Sequence, residues 1–154
     1  MPEMNFDRYF TLEEAQSLLP VVEALLKRAL EAKSAAEELE EKLQALAQKV
    51  FLMGGMLLDI ERARRNRAAY EAHMQQAKDS LAEIDAIGVQ VKDLDTGLLD
   101  FPCSVEGETV LLCWKMGESS IGFWHTLDGG FRGRQPVDER FTKKSSKNKP
   151  ERPN

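Results

Sequence analysis

A chain of 154 residues, 42% hydrophobic and 31% charged, is long enough to bury one core, too short for two comfortable domains, and too apolar to be disordered throughout. Its formal charge of −5 hides an asymmetry, because TKKSSKNKPERPN from Thr142 holds five basic residues and one acidic, leaving 16 basic and 25 acidic in the body. An acidic body argues against nucleic acid, no apolar run approaches the ~18 residues of a membrane span, and MPEMNFDRYF lacks the basic and apolar regions of a secretory signal. The expectation is therefore a cytoplasmic protein with no membrane partner, one domain over residues 8–141, and a disordered basic tail over 142–154.

The first element opens at FTLEEA, where Thr11 as N-cap and Glu14 three residues on form a capping box, with Phe10 as a staple residue. Pro20 removes a backbone donor and disfavours helix at Leu19, which predicts a kink or a short first helix ending there. Beyond it Val22, Leu25, Ala29, Ala32, Ala36, Leu39, Leu43, Leu46, Val50 and Met53 recur every three or four residues, the seam of a coiled coil. Gly54 and Gly55 suit a tight reversal, after which Met56, Ile60, Ala63, Tyr70, Met74, Ala77, Leu81 and Ile84 repeat the spacing with a polar interruption at Arg67. Gly88 stands where a C-cap glycine belongs. The pattern predicts a long antiparallel helical hairpin over residues 11–87, kinked near Pro20, with arms of roughly 50 Å at ~1.5 Å per residue. Leu19, Val21, Leu26, Leu30, Leu52, Leu57 and Leu58 fall off the seam, so a homodimer that pairs hairpins into a four-helix bundle is expected, with a foreign protein partner as the other user of that surface.

After Gly88 the period becomes two. VQVKD, LLDFPC, TVLLCWK and IGFWHT read as strands of a three- to four-stranded antiparallel meander over residues 89–127, completing an α+β fold. Turns that place Ser104 opposite Thr109 and Lys115 opposite Ile121 sort the side chains. One face takes Leu99, Phe101, Cys103, Val110, Leu112, Trp114 and Trp124; the other takes Asp100, Pro102, Leu111, Cys113, Lys115, Phe123 and His125. The tryptophans read as core. Asp100, diagonal to Lys115, reads as an ion pair, and Cys103 and Cys113 as reduced thiols acting as small hydrophobes.

Two groups of residues could carry chemistry. His125, Asp128 and Glu118 are the candidate ligands for a divalent metal, with Glu106 and Glu108 in the turn at the His125 end of the sheet. Glu118 sits about 13 Å along the hairpin from His125 at ~3.3 Å per residue, so the two meet only through a bulge or a second subunit. In the loop over 128–141, DGGFRGRQP could hold a small anion through Arg132, Arg134 and the amides of Gly130 and Gly133, or could be a structural loop whose arginines pair with carboxylates. No serine or cysteine has a credible histidine partner, so an enzyme stands behind a binding role. An interaction or assembly module acting through the hairpin stands first, and the alternative is a small-anion or metal-binding protein, a metal-dependent enzyme included, with its site at the sheet end and the Gly/Arg loop.

RYFTLEEAQSLLP, the central GG, IGVQVKD, GLLDFP, LCWKMGE, IGFWH and GFRGRQP together resemble the small bacterial proteins of the domain-of-unknown-function 2203 family, from about Arg8 to Val137. The run from Gly97 onward is the most specific part, and Lys33 to His73 match only in character. The resemblance implies a bacterial cytoplasmic protein with a helical hairpin and a small β-module, and it carries no activity, substrate or catalytic residue.

Overall fold

A computed structural model describes residues 6–52 and 60–142. The chain forms two compact units, one from the described residues up to Leu26 together with those from Glu83 onward, the other from Lys27–Ala82. Helix α1 (Leu12–Leu52) and helix α2 (Ile60–Ile87) each contribute to both. The Gly54–Gly55 reversal, the leucines at 57 and 58 and the tail over 143–154 lie outside the described residues.

In the first unit α1 starts as the capping box requires: the Glu14 amide donates to Thr11 Oγ1 and the Thr11 amide to Glu14 Oε1, each at 3.0 Å. The helix does not end at Pro20 but runs through it. A proline inside a helix costs ~3 kcal/mol, whereas Leu19, Val22 and Leu26 around it are all buried, and each such burial returns ~1.5–3 kcal/mol, so packing outweighs the lost bond. At the other helix end the Val89 amide donates to the Ile84 carbonyl and the Gly88 amide to that of Asp85, with Gly88 at φ 107°. This is a Schellman cap, and it needs a residue without a Cβ.

The strands are β1 (Gln90–Asp93), β2 (Leu98–Val105), β3 (Glu108–Lys115), β4 (Phe123–His125) and β5 (Gln135–Pro136), paired in that order as an antiparallel meander. Ser104 faces Thr109, and Leu111, Leu112 and Cys113 face His125, Trp124 and Phe123, the register expected from the hydrophobic pattern. Pairing continues past Ser104–Thr109 to Val105–Glu108, so Glu106 and Gly107 make a two-residue reversal with φ 52° and 81°, both positive as a type I′ hairpin turn demands. The fifth strand goes beyond the three or four expected. It lies in the loop after residue 128, which also holds a 3-10 turn (Phe131–Gly133) and a short helix α3 (Glu139–Thr142). A two-residue strand containing proline has no period to read, and an edge position is where such a strand is tolerated.

Leu99, Phe101, Cys103, Val110, Leu112, Trp114 and Trp124 form the buried apolar face of the sheet. Phe10 meets Phe101 edge-on at 5.5 Å, and Phe141 of α3 packs on Trp124 at 5.7 Å. Gln16 of α1 grips the backbone of Ile121, accepting from its amide at 3.0 Å and donating to its carbonyl at 3.2 Å. The Trp114 indole N–H donates to the Glu118 carbonyl at 3.0 Å.

In the second unit the two helices pack along a seam of small residues, with Ala29, Ala32, Ala36, Ala77 and Ser80 buried. The expected gap at Arg67 closes differently: Ala63, Asn66, Tyr70, His73, Ala77 and Ser80 form the inward stripe, alternating steps of three and four, while Arg67 is exposed. Phe51, Leu52 and Ile60 are exposed to 82%, 74% and 61%. No helix of the described residues is long and apolar enough to cross a membrane.

Replacing Trp114, fully buried on the apolar face, by alanine is expected to cost ~3–5 kcal/mol of unfolding free energy in a denaturant titration. A loss below ~1 kcal/mol would remove Trp114 from the core.

Candidate metal centre

The opposite face of the sheet is buried as well, and it is polar at its centre. Pairing places Gln90, Asp100, Cys113, Phe123 and Pro136 in one row across the five strands, while His125 stands one step along β4, opposite Leu111. Directly opposed residues of antiparallel strands share a face, so Asp100, Cys113 and His125 converge from β2, β3 and β4. They are 1%, 0% and 3% exposed, and one ligand atom from each lies within 4.8 Å of the other two.

The histidine is oriented by its own backbone neighbour. His125 Nδ1 stands 2.7 Å from the Thr126 carbonyl, which only accepts, so Nδ1 carries a proton and donates it. Nε2 is thereby aimed at Asp100 Oδ1, 3.1 Å away, and one proton lies between them. Burial pushes the Asp100 carboxyl above the ordinary carboxylate value, further than the charges of His125 and Lys92 pull it back. The Cys113 thiol is pushed up to about 12, first by burial and then by the Asp100 charge beside it. Asp100 Oδ2, although buried, has no hydrogen-bond partner among the described residues.

Such a cluster suits a divalent ion better than it suits nucleophilic catalysis. A reactive cysteine needs a low pKa and access, and Cys113 has neither. A metal, by contrast, displaces the protons of its thiol and carboxyl ligands, and the fixed Nδ1–H bond to a carbonyl is the usual orienting contact of a ligating histidine. Two ligand atoms bound at ~2.0–2.1 Å to a tetrahedral ion sit roughly 3.3 Å apart. The 3.1 Å between Nε2 and Oδ1 is already close to that value.

The residues singled out from sequence fall into separate places. Of the metal candidates, His125 enters the cluster, whereas Asp128 is exposed and accepts from the Thr126 hydroxyl at 3.2 Å. Both oxygens of Glu118 accept from Arg134 Nη2, at 2.9 and 2.7 Å, and Oε1 also accepts from the Lys115 amide at 2.9 Å. The Arg134 guanidinium also lies 4.0 Å from the centre of the Phe123 ring and 4.7 Å from that of Phe131. The amides of Gly133 and Arg134 donate within the 3-10 turn to the carbonyls of Gly130 and Phe131, and Arg132 is exposed. Of the two arginines in DGGFRGRQP, Arg134 pairs with the Glu118 carboxylate.

Asp100 is not paired with Lys115, as the diagonal spacing suggested, but with His125; Lys115 is exposed, its ammonium 5.9 Å from the Phe131 ring centre. Asp100 and Cys113 are thus the site residues that sequence reasoning missed. The signal lay in the register, which already set them opposite each other on the His125 face.

Cys103, on the apolar face, has its thiol pushed up to about 12 by burial, with the Glu14 charge adding to the rise. The ordinary thiol value is 9.0, so between these values the folded state binds the proton more tightly. Stability should therefore fall as pH rises past 9, and Cys103→Ala should show a shallower fall in urea titrations between pH 8 and 10.5. Equal slopes for the two proteins would contradict this environment.

No curated protein and no solved structure matches the chain. The pattern described as uncharacterized conserved protein (DUF2203) matches residues 8–137, which include both helices, all five strands and every residue of the buried cluster. By that match, over far more than half of its length, the chain belongs to the DUF2203 family.

Proposed function

We propose that the chain is a metal-binding protein that holds one divalent cation of the zinc class on Asp100, Cys113 and His125. One observation carries this reading: a carboxylate oxygen, a thiol sulfur and an imidazole nitrogen lie within 4.8 Å of one another in a dry site, with Nδ1 of the imidazole committed elsewhere. The mixed donor set selects among metals, since thiolate disfavours magnesium and calcium while nitrogen, sulfur and oxygen together suit zinc, cobalt or ferrous iron. The role is binding and not thiol catalysis, because Cys113 is sealed from substrate. The reading extends to a bacterial cytoplasmic address, which suits two cysteines that are both free and buried.

The test is elemental analysis of the protein purified without chelators, followed by zinc titration of the stripped protein. About one zinc per chain is expected, with a proton released from Cys113 on uptake. Asp100→Asn, Cys113→Ser and His125→Ala should each weaken binding by tenfold or more. Wild-type protein that retains and takes up none of zinc, cobalt or iron under reducing conditions would end the proposal.

The exposed apolar residues at the end of the second unit support a further reading, that the hairpin is an interaction surface for a second copy or for another protein. Phe51 and Leu52 close α1 and Ile60 opens α2, three large side chains in contact with solvent. Concentration-dependent sedimentation should reveal self-association. A stable 17.4 kDa monomer at micromolar concentration, with its helices folded, would remove the homodimer.

A further inference from the structure

We infer that Gln90 is the fourth protein donor of this centre, so that the metal is enclosed by one side chain from each of four consecutive strands. The inference rests on the proposed metal site and adds to it a residue and a coordination class. Gln90 of β1 is the direct cross-strand partner of Asp100, which puts its side chain on the cluster's face next to the carboxyl. Its Oε1 is buried and has no hydrogen-bond partner among the described residues. Asp100 Oδ2, on the adjacent strand, is in the same condition. A buried polar atom left unpaired costs ~1–3 kcal/mol, so two of them on directly paired residues call for a common explanation.

Both orphaned atoms are acceptors, and acceptors cannot satisfy each other. The only proton between Asp100 and His125 already lies between Oδ1 and Nε2. Apart from the Cys113 thiol, which hydrogen-bonds to Asp100 and gives up its proton when a metal binds, the local surplus is of lone pairs, which a cation neutralises all at once. The remaining buried polar atoms without partners, Trp124 Nε1 and Arg134 Nε, are donors. Trp124 belongs to the other face of the sheet, and the charge of Arg134 is compensated by Glu118 at 2.7 Å.

Charge balance is compatible with the same four residues. A divalent ion with the Asp100 carboxylate and the Cys113 thiolate is neutral, and His125 and Gln90 add donors without adding charge. A neutral centre is the one a dry sheet face accepts at least cost, since an unbalanced charge there would carry a penalty of several kcal/mol. With four protein donors a tetrahedral ion has no open position, which makes the centre a structural tie and not a site that activates water.

Cobalt(II) alone, added to the stripped full-length protein, is the probe, because its visible bands report coordination number and its near-ultraviolet charge-transfer band reports a thiolate ligand. The wild type should show the thiolate band with intense visible absorption of a four-coordinate ion. Gln90→Ala should keep the thiolate band, lose visible intensity as water enters, and bind about tenfold or more weakly. Gln90→Met, close in volume but without the oxygen, guards against a folding defect and should behave like Gln90→Ala, with circular dichroism confirming the fold. If both variants match the wild type in spectrum and affinity, Gln90 is not a ligand and the three-residue centre stands. If the wild type shows no thiolate band, the centre itself falls and Gln90 with it.

Discussion

A slip of one residue in the β2–β3 hairpin would turn Asp100 and Cys113 into the apolar face and carry Leu99 and Trp114 out of it, because side chains alternate with a period of two. The register is held from several directions. Glu106 and Gly107 fix the length of the turn by adopting positive φ, and Leu99, Phe101, Leu112 and Trp114 can all be buried in only one alignment. At the open end of the hairpin the Met116 amide donates to the Gly97 carbonyl at 2.9 Å, where a Cβ on Gly97 would come within 2.6 Å of Met116 Cβ. Once Ser104 faces Thr109, the meeting of Asp100 with Cys113 follows without further choice. β4 then brings His125 to them, since Ile121 is anchored to Gln16 before the strand begins.

The consequence is a sheet buried on both faces, which an antiparallel meander often avoids by leaving one face to solvent. On the apolar side burial is favourable for every side chain. On the other side it encloses a carboxyl, a thiol and an imidazole, and their electrostatics are set first by burial: Asp100 is driven toward its neutral form and Cys113 is held as a thiol. The Asp100–His125 bond satisfies part of this group and leaves Oδ2 without a partner. An apolar trio of similar volume would avoid that cost, so these three polar side chains at full burial do not serve packing alone.

The hairpin and the meander were legible because both rest on repeating patterns. Thr11 and Glu14 announced the start of α1, the three–four spacing gave its buried stripe, and alternation gave the strand faces with the observed pairing. What the sequence hid was decided by competition among interactions. Pro20 signals a break, but the buried leucines around it carry the helix through. Asn66 and His73 look too polar for an inner stripe, yet the spacing from Ala63 to Ser80 places them there. Asp100 had two eligible partners, Lys115 two residues along the neighbouring strand and His125 two strands away. A lysine at the strand end stays hydrated with little loss, whereas a buried carboxyl must find a donor within its own face, and His125 is the one that shares its burial.

The lengths of the strands bear on what the cluster does for the fold. β2 and β3 have eight residues each and pair along their whole length, but β1 has four residues, β4 three and β5 two. Strands this short contribute few ladder bonds, and β1 is also interrupted by a register shift between Val91 and Asp93. On the proposed reading the donors on β1 and β4 lie on the short strands flanking the long hairpin, so an ion bound there would join those strands to the strong centre. Binding energy of that kind is folding energy, because the unfolded chain does not hold the four donors together. Under that proposal the donors come one from each of four strands, and a tie across strands would hold their register, which a loop-borne site would not do.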